Sequence, residues 1–234
     1  MEEPSRQDQS EIKNNNEDRR IIPREISRRK FLHSAGLGIA GAALSPAILF
    51  PGFPGAAFSK AKIALQLYTV RDAIGQDIAG TFHKVAEAGY KAVETAFWPE
   101  GVSLKQAAKL LRDAGLAVSS CHVEIPQGDK KKAMLETAEA FGSTRMIWHG
   151  WPEDRRYSSL EGTKELAGIY NEAGHFARSN GLRFGLHNHW WEYRNKVDGR
   201  FVDQVLLELL DPDILFEIDT YRAKVAGHDP TEIV

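Results

Sequence analysis

Four glycines recur at the same point of a repeating pattern, and that repetition restricts the fold more than any other feature of the chain. Gly89 in Ala-Glu-Ala-Gly-Tyr, Gly115 in Arg-Asp-Ala-Gly-Leu, Gly142 in Ala-Phe-Gly-Ser and Gly181 in Ser-Asn-Gly-Leu each close an amphipathic segment and precede a short apolar run. A glycine there is what a left-handed helix cap demands. The pattern predicts strands over 63–68, 92–95, 117–122, 145–149, 183–187 and 214–219, with helices over 78–88, 104–114, 130–141, 163–180 and 201–210 between them. Ser103-Leu-Lys-Gln106 reads as a capping box for the second helix. Strict alternation of strand and helix argues for a parallel sheet joined by right-handed crossovers.

The strand bodies are apolar and their carboxyl ends are not. The fifth shows it best: Leu182, Phe184 and Leu186 alternate along the run, which then breaks into His187, His189, Trp190, Trp191 and Glu192. Tyr68 and Arg71 follow the first strand, Glu94 the second, His122 and Glu124 the third, His149 the fourth and Asp219 the sixth. In parallel α/β architectures that end carries the chemistry. Taken singly, each has a plain structural explanation: Glu94 pairing with a lysine, His122 capping a loop, Asp219 capping a short turn. Together they make a His/Asp/Glu set suited to a divalent ion such as Mn, Mg, Co or Zn. The single cysteine, Cys121, excludes a cysteine-rich zinc site and an internal disulfide framework. Glu94, His122 and Glu192 are candidates for contacting a substrate or moving a proton. Trp98, Trp151, Trp190 and Trp191 are candidates for stacking on a ligand, or for packing.

Charge argues against one class of partner. The chain carries a formal charge of −2, and its amino-terminal segment is close to balanced, so the region from 62 onward is slightly acidic. That is a poor footprint for nucleic acid. Residues 1–26 are polar and without apolar period, which reads as a disordered lead-in. Arg28-Arg29 then stands ahead of Phe31 and Leu32 and of an uncharged stretch over 34–59. This is the form of a twin-arginine export signal. Pro46, Pro51 and Pro54 interrupt the stretch, which argues against a stable membrane anchor. The reading takes 1–61 as leader and 62–234 as one domain, with cleavage near 57–61 and an extracytoplasmic, periplasmic location after passage through the twin-arginine machinery.

Ile63-Ala-Leu-Gln-Leu-Tyr-Thr-Val-Arg71, Gly185-Leu-His-Asn-His-Trp-Trp-Glu192 and Phe216-Glu-Ile-Asp-Thr-Tyr221 with Val225-Ala-Gly227 resemble the xylose isomerase-like TIM-barrel superfamily, specifically its sugar phosphate isomerase/epimerase group. The resemblance implies a (β/α)₈ barrel of which this chain supplies about six units. It implies Asp219 as a metal ligand, with His187 another at a position where many members carry glutamate. It implies a small-molecule carbohydrate substrate contacted by Tyr68, Arg71, Trp98, His149, His189, Trp191 and Arg222, the last standing where relatives often have Trp or His. The activity implied is isomerisation, epimerisation or elimination next to a carbonyl, through an enediolate. A non-catalytic carbohydrate-binding remnant is the competing reading, and the superfamily's abasic-DNA endonuclease activity conflicts with the acidic balance. Asp229-Pro-Thr-Glu-Ile-Val234 reads as the start of a helix. With a complete barrel taking roughly 250 residues, the chain is expected to be a fragment of a longer frame.

Replacing Arg28 and Arg29 together by lysine is expected to leave the protein unprocessed inside the cell; cell fractionation with immunoblotting checks it, and normal export of the double variant would refute the leader assignment.

Overall fold

Three of the helices between the strands begin where a side chain stands in for a missing carbonyl. The computed structural model describes residues 62–233, so the twin-arginine segment and the leader expected over 1–61 lie outside the described residues. Asp77 Oδ1 accepts the N–H of Gly80, Ser103 Oγ that of Gln106 and Ser159 Oγ that of Gly162. These caps open helices α2 (Ile78–Glu87), α3 (Leu104–Asp113) and α5 (Leu160–Ser179). A shorter helix, α1 (Arg71–Gln76), precedes them, and α4 (Lys130–Phe141) lies between α3 and α5. All four punctuating glycines take positive φ. Gly142 caps α4 directly, its N–H bonding the Ala138 carbonyl.

The strands between them are β1 (Leu65–Gln66), β2 (Ala92–Thr95), β3 (Ala117–Val123), β4 (Arg145–Trp148), β5 (Arg183–His187) and β6 (Leu215–Glu217). They form one sheet in sequential order with every pairing parallel. This is a partial TIM barrel: six parallel strands with alternating helices. After β5 come a single-turn helix, α6 (Trp191–Arg194), a two-stranded ribbon pairing Lys196–Val197 with Arg200–Phe201, and α7 (Val202–Leu209). The short helix α8 (Thr220–Val225) follows β6.

The first strand is shorter than its sequence pattern predicts. Only Leu65 and Gln66 pair with β2, and Leu67–Val70 turn into a 3₁₀ segment that leads straight into α1. An edge strand has one neighbour to hold it extended, and Leu67 is instead drawn into the core beside Ile74 and Phe82. Helix α5 begins three residues earlier than expected because Ser159 caps it.

On the helix side of the sheet, Cys121, Met146, Phe184 and Leu186 lie in one cluster with Met134 of α4, Leu166 and Tyr170 of α5, and Val205 and Leu206 of α7. Full burial of each large apolar side chain there contributes about 1.5–3 kcal/mol. In the same cluster, Tyr157 and Tyr170 share a hydrogen bond of 2.8 Å between hydroxyls.

The opposite face holds a row of registered neighbours: His122 with Ile147, Ile147 with Gly185, Gly185 with Leu215. A Cβ on Gly185 would stand 2.7 Å from Leu215 Cβ and 2.9 Å from Ile147 Cδ1. Glycine is therefore what lets the row close up as the sheet curls. Gly185→Val is expected to destabilise the protein by about 1–3 kcal/mol, read as a lowered urea midpoint; an unchanged midpoint would mean that the sheet is not packed this tightly.

Candidate functional site

A bulge at the second and third strands sets up the polar face. Val93 registers with Val118 but Glu94 with Ser120, so Ser119 is the extra residue, and its hydroxyl bonds the Val93 carbonyl at 3.0 Å. The shift brings Ser120 Oγ to 2.6 Å from Glu94 Oε2. Gln66 Nε2 donates to the other oxygen of Glu94 at 2.9 Å. Two residues beyond Ser120, and so on the same face, stands His122.

His122 Nε2 lies 3.0 Å from Glu217 Oε1 and 3.3 Å from Glu94 Oε1. The same Glu217 oxygen lies 2.8 Å from His187 Nδ1. β3 and β6 are three strands apart, about 14 Å on a flat sheet at the usual spacing. Contact between their side chains thus reports the curl of the barrel. His122, His187 and Glu217 offer three ligand atoms within 4.8 Å of one another. Two imidazoles and a carboxylate without sulfur suit the divalent ions expected from the sequence.

Asp219 stands beside this set. Its Oδ1 accepts the Arg222 N–H and caps α8, while Oδ2 faces His187 Nε2 at 3.9 Å and Arg222 Nε at 3.8 Å. Asn188 ties the two strand ends together, accepting the Asp219 N–H at 2.7 Å.

The histidines differ in their electrostatics. Burial pulls the His122 pKa down, but hydrogen bonds to Glu217 and Glu94 outweigh it and hold the group up at about 9. Burial raises the Glu217 carboxyl, and the bonds from His122 and His187 reverse this, leaving it well below the usual carboxylate range. His149 pairs with Glu124 at 3.3 Å, yet burial keeps its pKa below the ordinary value. His189 is lowered to about 3 by burial, with the neighbouring His187 and Arg222 adding to it.

The remaining sequence candidates distribute unevenly. Tyr68 is half-exposed, with the Arg71 guanidinium 4.3 Å from its ring centre. Phe97 bridges from Tyr68 to His149 by edge contacts of 6.2 and 5.5 Å. Trp151 is 47% exposed near His189. Trp98 lies among the helices instead, against Phe82 and stacked on Phe141. Trp191 is 2% exposed and stacks on the His189 ring. Trp190 carries the Arg194 guanidinium at 4.5 Å. Glu192 is buried, and its Oε2 accepts the His189 backbone N–H at 2.9 Å. The sequence reading missed Glu217, Gln66 and Ser120. A period-two signal existed for Glu217, two residues before Asp219, and for Gln66, two before Tyr68.

Fold and cluster together define a partial (β/α) barrel with its polar chemistry gathered at the carboxyl ends of its strands. The chain belongs to the xylose isomerase-like TIM barrel family, whose model matches residues 82–232. Among solved structures it is similar to a sugar phosphate isomerase/epimerase from Parabacteroides distasonis, at 23% identity over 79% of this chain and 74% of that one, with a TM-score of 0.61. It is also similar to a family 2 AP endonuclease from Brucella melitensis, at 17% identity over 73% and 72% of the two chains and a TM-score of 0.53. A probable 3-DHS dehydratase of petrobactin synthesis from Bacillus anthracis matches at 14% identity over 74% and 68%, with a TM-score of 0.52. These likenesses establish the fold. Nothing among curated proteins matches the chain.

Burial raises the Glu192 carboxyl to about 8, so it is uncharged in the folded protein at neutral pH. A carboxyl whose folded pKa lies above its unfolded value binds an extra proton when folded, and stability falls as pH rises from the ordinary carboxylate range toward 8. Glu192→Gln keeps an acceptor for the His189 N–H and does not ionise. Its stability relative to wild type is expected to increase between pH 5 and pH 8.5 in urea titrations; a pH-independent difference would show that Glu192 is charged when folded.

Proposed function

We propose that the chain carries a divalent-metal-dependent site that isomerises or epimerises a sugar or polyol, or eliminates from one, by proton transfer next to a carbonyl. The observation that carries this reading is the convergence of His122, His187 and Glu217, from three separate strands, on one point with the Glu94 carboxylate beside it. His122, His187 and Glu217 would hold the ion, with Asp219 Oδ2 the nearest further donor. When bound, such an ion supplies Lewis-acid polarisation of a carbonyl and a template for vicinal oxygens.

The chain's own groups do the rest. Glu94 is fixed by Ser120 and Gln66, so its carboxylate has one orientation toward the cluster and is the group placed to take a proton from carbon. In this reading Glu192 supports the loop after β5 through the His189 N–H, while Tyr68, Phe97 and Trp151 offer apolar surface to a sugar at the rim. The closeness of the Parabacteroides isomerase/epimerase in fold is consistent with such chemistry. The Arg28-Arg29 leader would deliver the folded protein outside the cytoplasm, where an unphosphorylated carbohydrate is the natural substrate class.

Calorimetric titration of the chelator-treated chain with Mn, Co and Zn salts tests the site. His187→Ala and Glu217→Ala are each expected to weaken binding by about 10–100-fold or more, since each removes a direct donor. Asp219→Ala is expected to cost less. Binding that survives loss of both His187 and Glu217 would place the metal elsewhere.

A further inference from the structure

His189 differs from the other three histidines at the strand ends. His122 faces Glu217 and Glu94, His149 faces Glu124, and His187 faces Glu217 and Asp219. His189 faces no carboxylate among the described residues, and its Nδ1 is buried without a hydrogen-bond partner there. The residue is 7% exposed. Nδ1 is closed off by Gly150: a Cβ on that glycine would stand 3.0 Å from Nδ1 and 2.6 Å from the His187 carbonyl. An orphaned N–H is rarer and costlier in a protein interior than an under-used acceptor. The proton of a neutral His189 therefore belongs on Nε2.

The ring is also immobilised. It stacks nearly parallel on Trp191, with centres 4.3 Å apart and an interplanar angle of 8°, and meets the His187 ring edge-on at 5.1 Å and 89°. Its backbone N–H is anchored on Glu192. With Nδ1 sealed, Nε2 is the only ring nitrogen able to meet a ligand.

We propose that His189 is held as the Nε2–H tautomer and donates that hydrogen to a substrate oxygen bound at the His122–His187–Glu217 cluster. This rests on the reading of the cluster as an enolising metal site. As the carbon–hydrogen bond breaks, its proton passes to Glu94 and its electron pair forms the carbon–carbon double bond, while the carbonyl π pair moves onto oxygen. The Nε2–H stabilises that oxygen and keeps its own proton. Because the ring is already fixed in place, the donor needs no reorientation as charge develops on that oxygen.

Nitrogen NMR on the full chain labelled with ¹⁵N-histidine tests this, with His189→Gln and His187→Gln used to assign the two rings. The expected spectrum shows His189 Nδ1 unprotonated and Nε2 protonated. Adding zinc chloride and glycolohydroxamate, a mimic of an enediolate, is expected to shift the His187 nitrogens and to move the His189 Nε2 proton downfield. His189→Gln is expected to weaken hydroxamate binding to the zinc-loaded protein by about tenfold or more, with zinc affinity retained. A proton on Nδ1 would overturn the proposal, as would a His187 response with no His189 response. If neither ring responds to zinc, the metal reading fails and this proposal falls with it.

Discussion

One carboxylate oxygen, Glu217 Oε1, is shared by imidazoles from two other strands, and the whole polar face is arranged to make that contact possible. A buried carboxylate is costly unless it is paired and hydrogen-bonded. Here burial and pairing oppose each other, and pairing prevails: Glu217 is held below the usual carboxylate range while His122 is held at about 9. The proton that His122 keeps supplies compensating charge. The donor atoms of His122, His187 and Glu217 lie within 4.8 Å of one another, so the groups that hydrogen-bond to each other are the same ones that would hold a divalent cation in the proposed site. Cluster stability and the proposed metal site are thus two uses of one geometry.

That geometry depends on packing below it. β3 and β6 reach each other only because the sheet curls, and the curl needs the space that Gly185 leaves between Ile147 and Leu215. On the outer face, Met146, Phe184 and Leu186 fix the same strands against α4, α5 and α7. The apolar layer and the polar layer therefore constrain each other, and a functional side chain gains its orientation from residues that never touch a ligand. The bulge at Ser119 has the same effect at β2, bringing Ser120 under Glu94.

Much of the fold was legible because it follows from short-range rules. Four glycines at positive φ and the capping residue Ser103 act within one helical turn, and the alternation of strand and helix leaves few topologies. The candidates at the strand ends were legible for the same reason. Where long-range packing decided, local pattern was insufficient. Trp98 follows β2 as a sugar-stacking residue would, yet Phe82 and Phe141 take it into the helix layer. Asp219 spends one oxygen on the Arg222 N–H, the capping role its position also allowed.

The sequence by itself determined the order and type of the six strands and of the five longer helices, the family, and which end of the sheet carries ionisable groups, since periodicity, capping and turn chemistry are written in neighbouring residues. Only the tertiary structure decided which of those groups meet. Glu217 stood unremarked beside Asp219, and His122 was assigned to proton transfer; a contact across residues 122 and 217 depends on strand curl and register, which no local stretch encodes. The same holds for His189, whose ring nitrogens become unequal only when Gly150 closes over one of them.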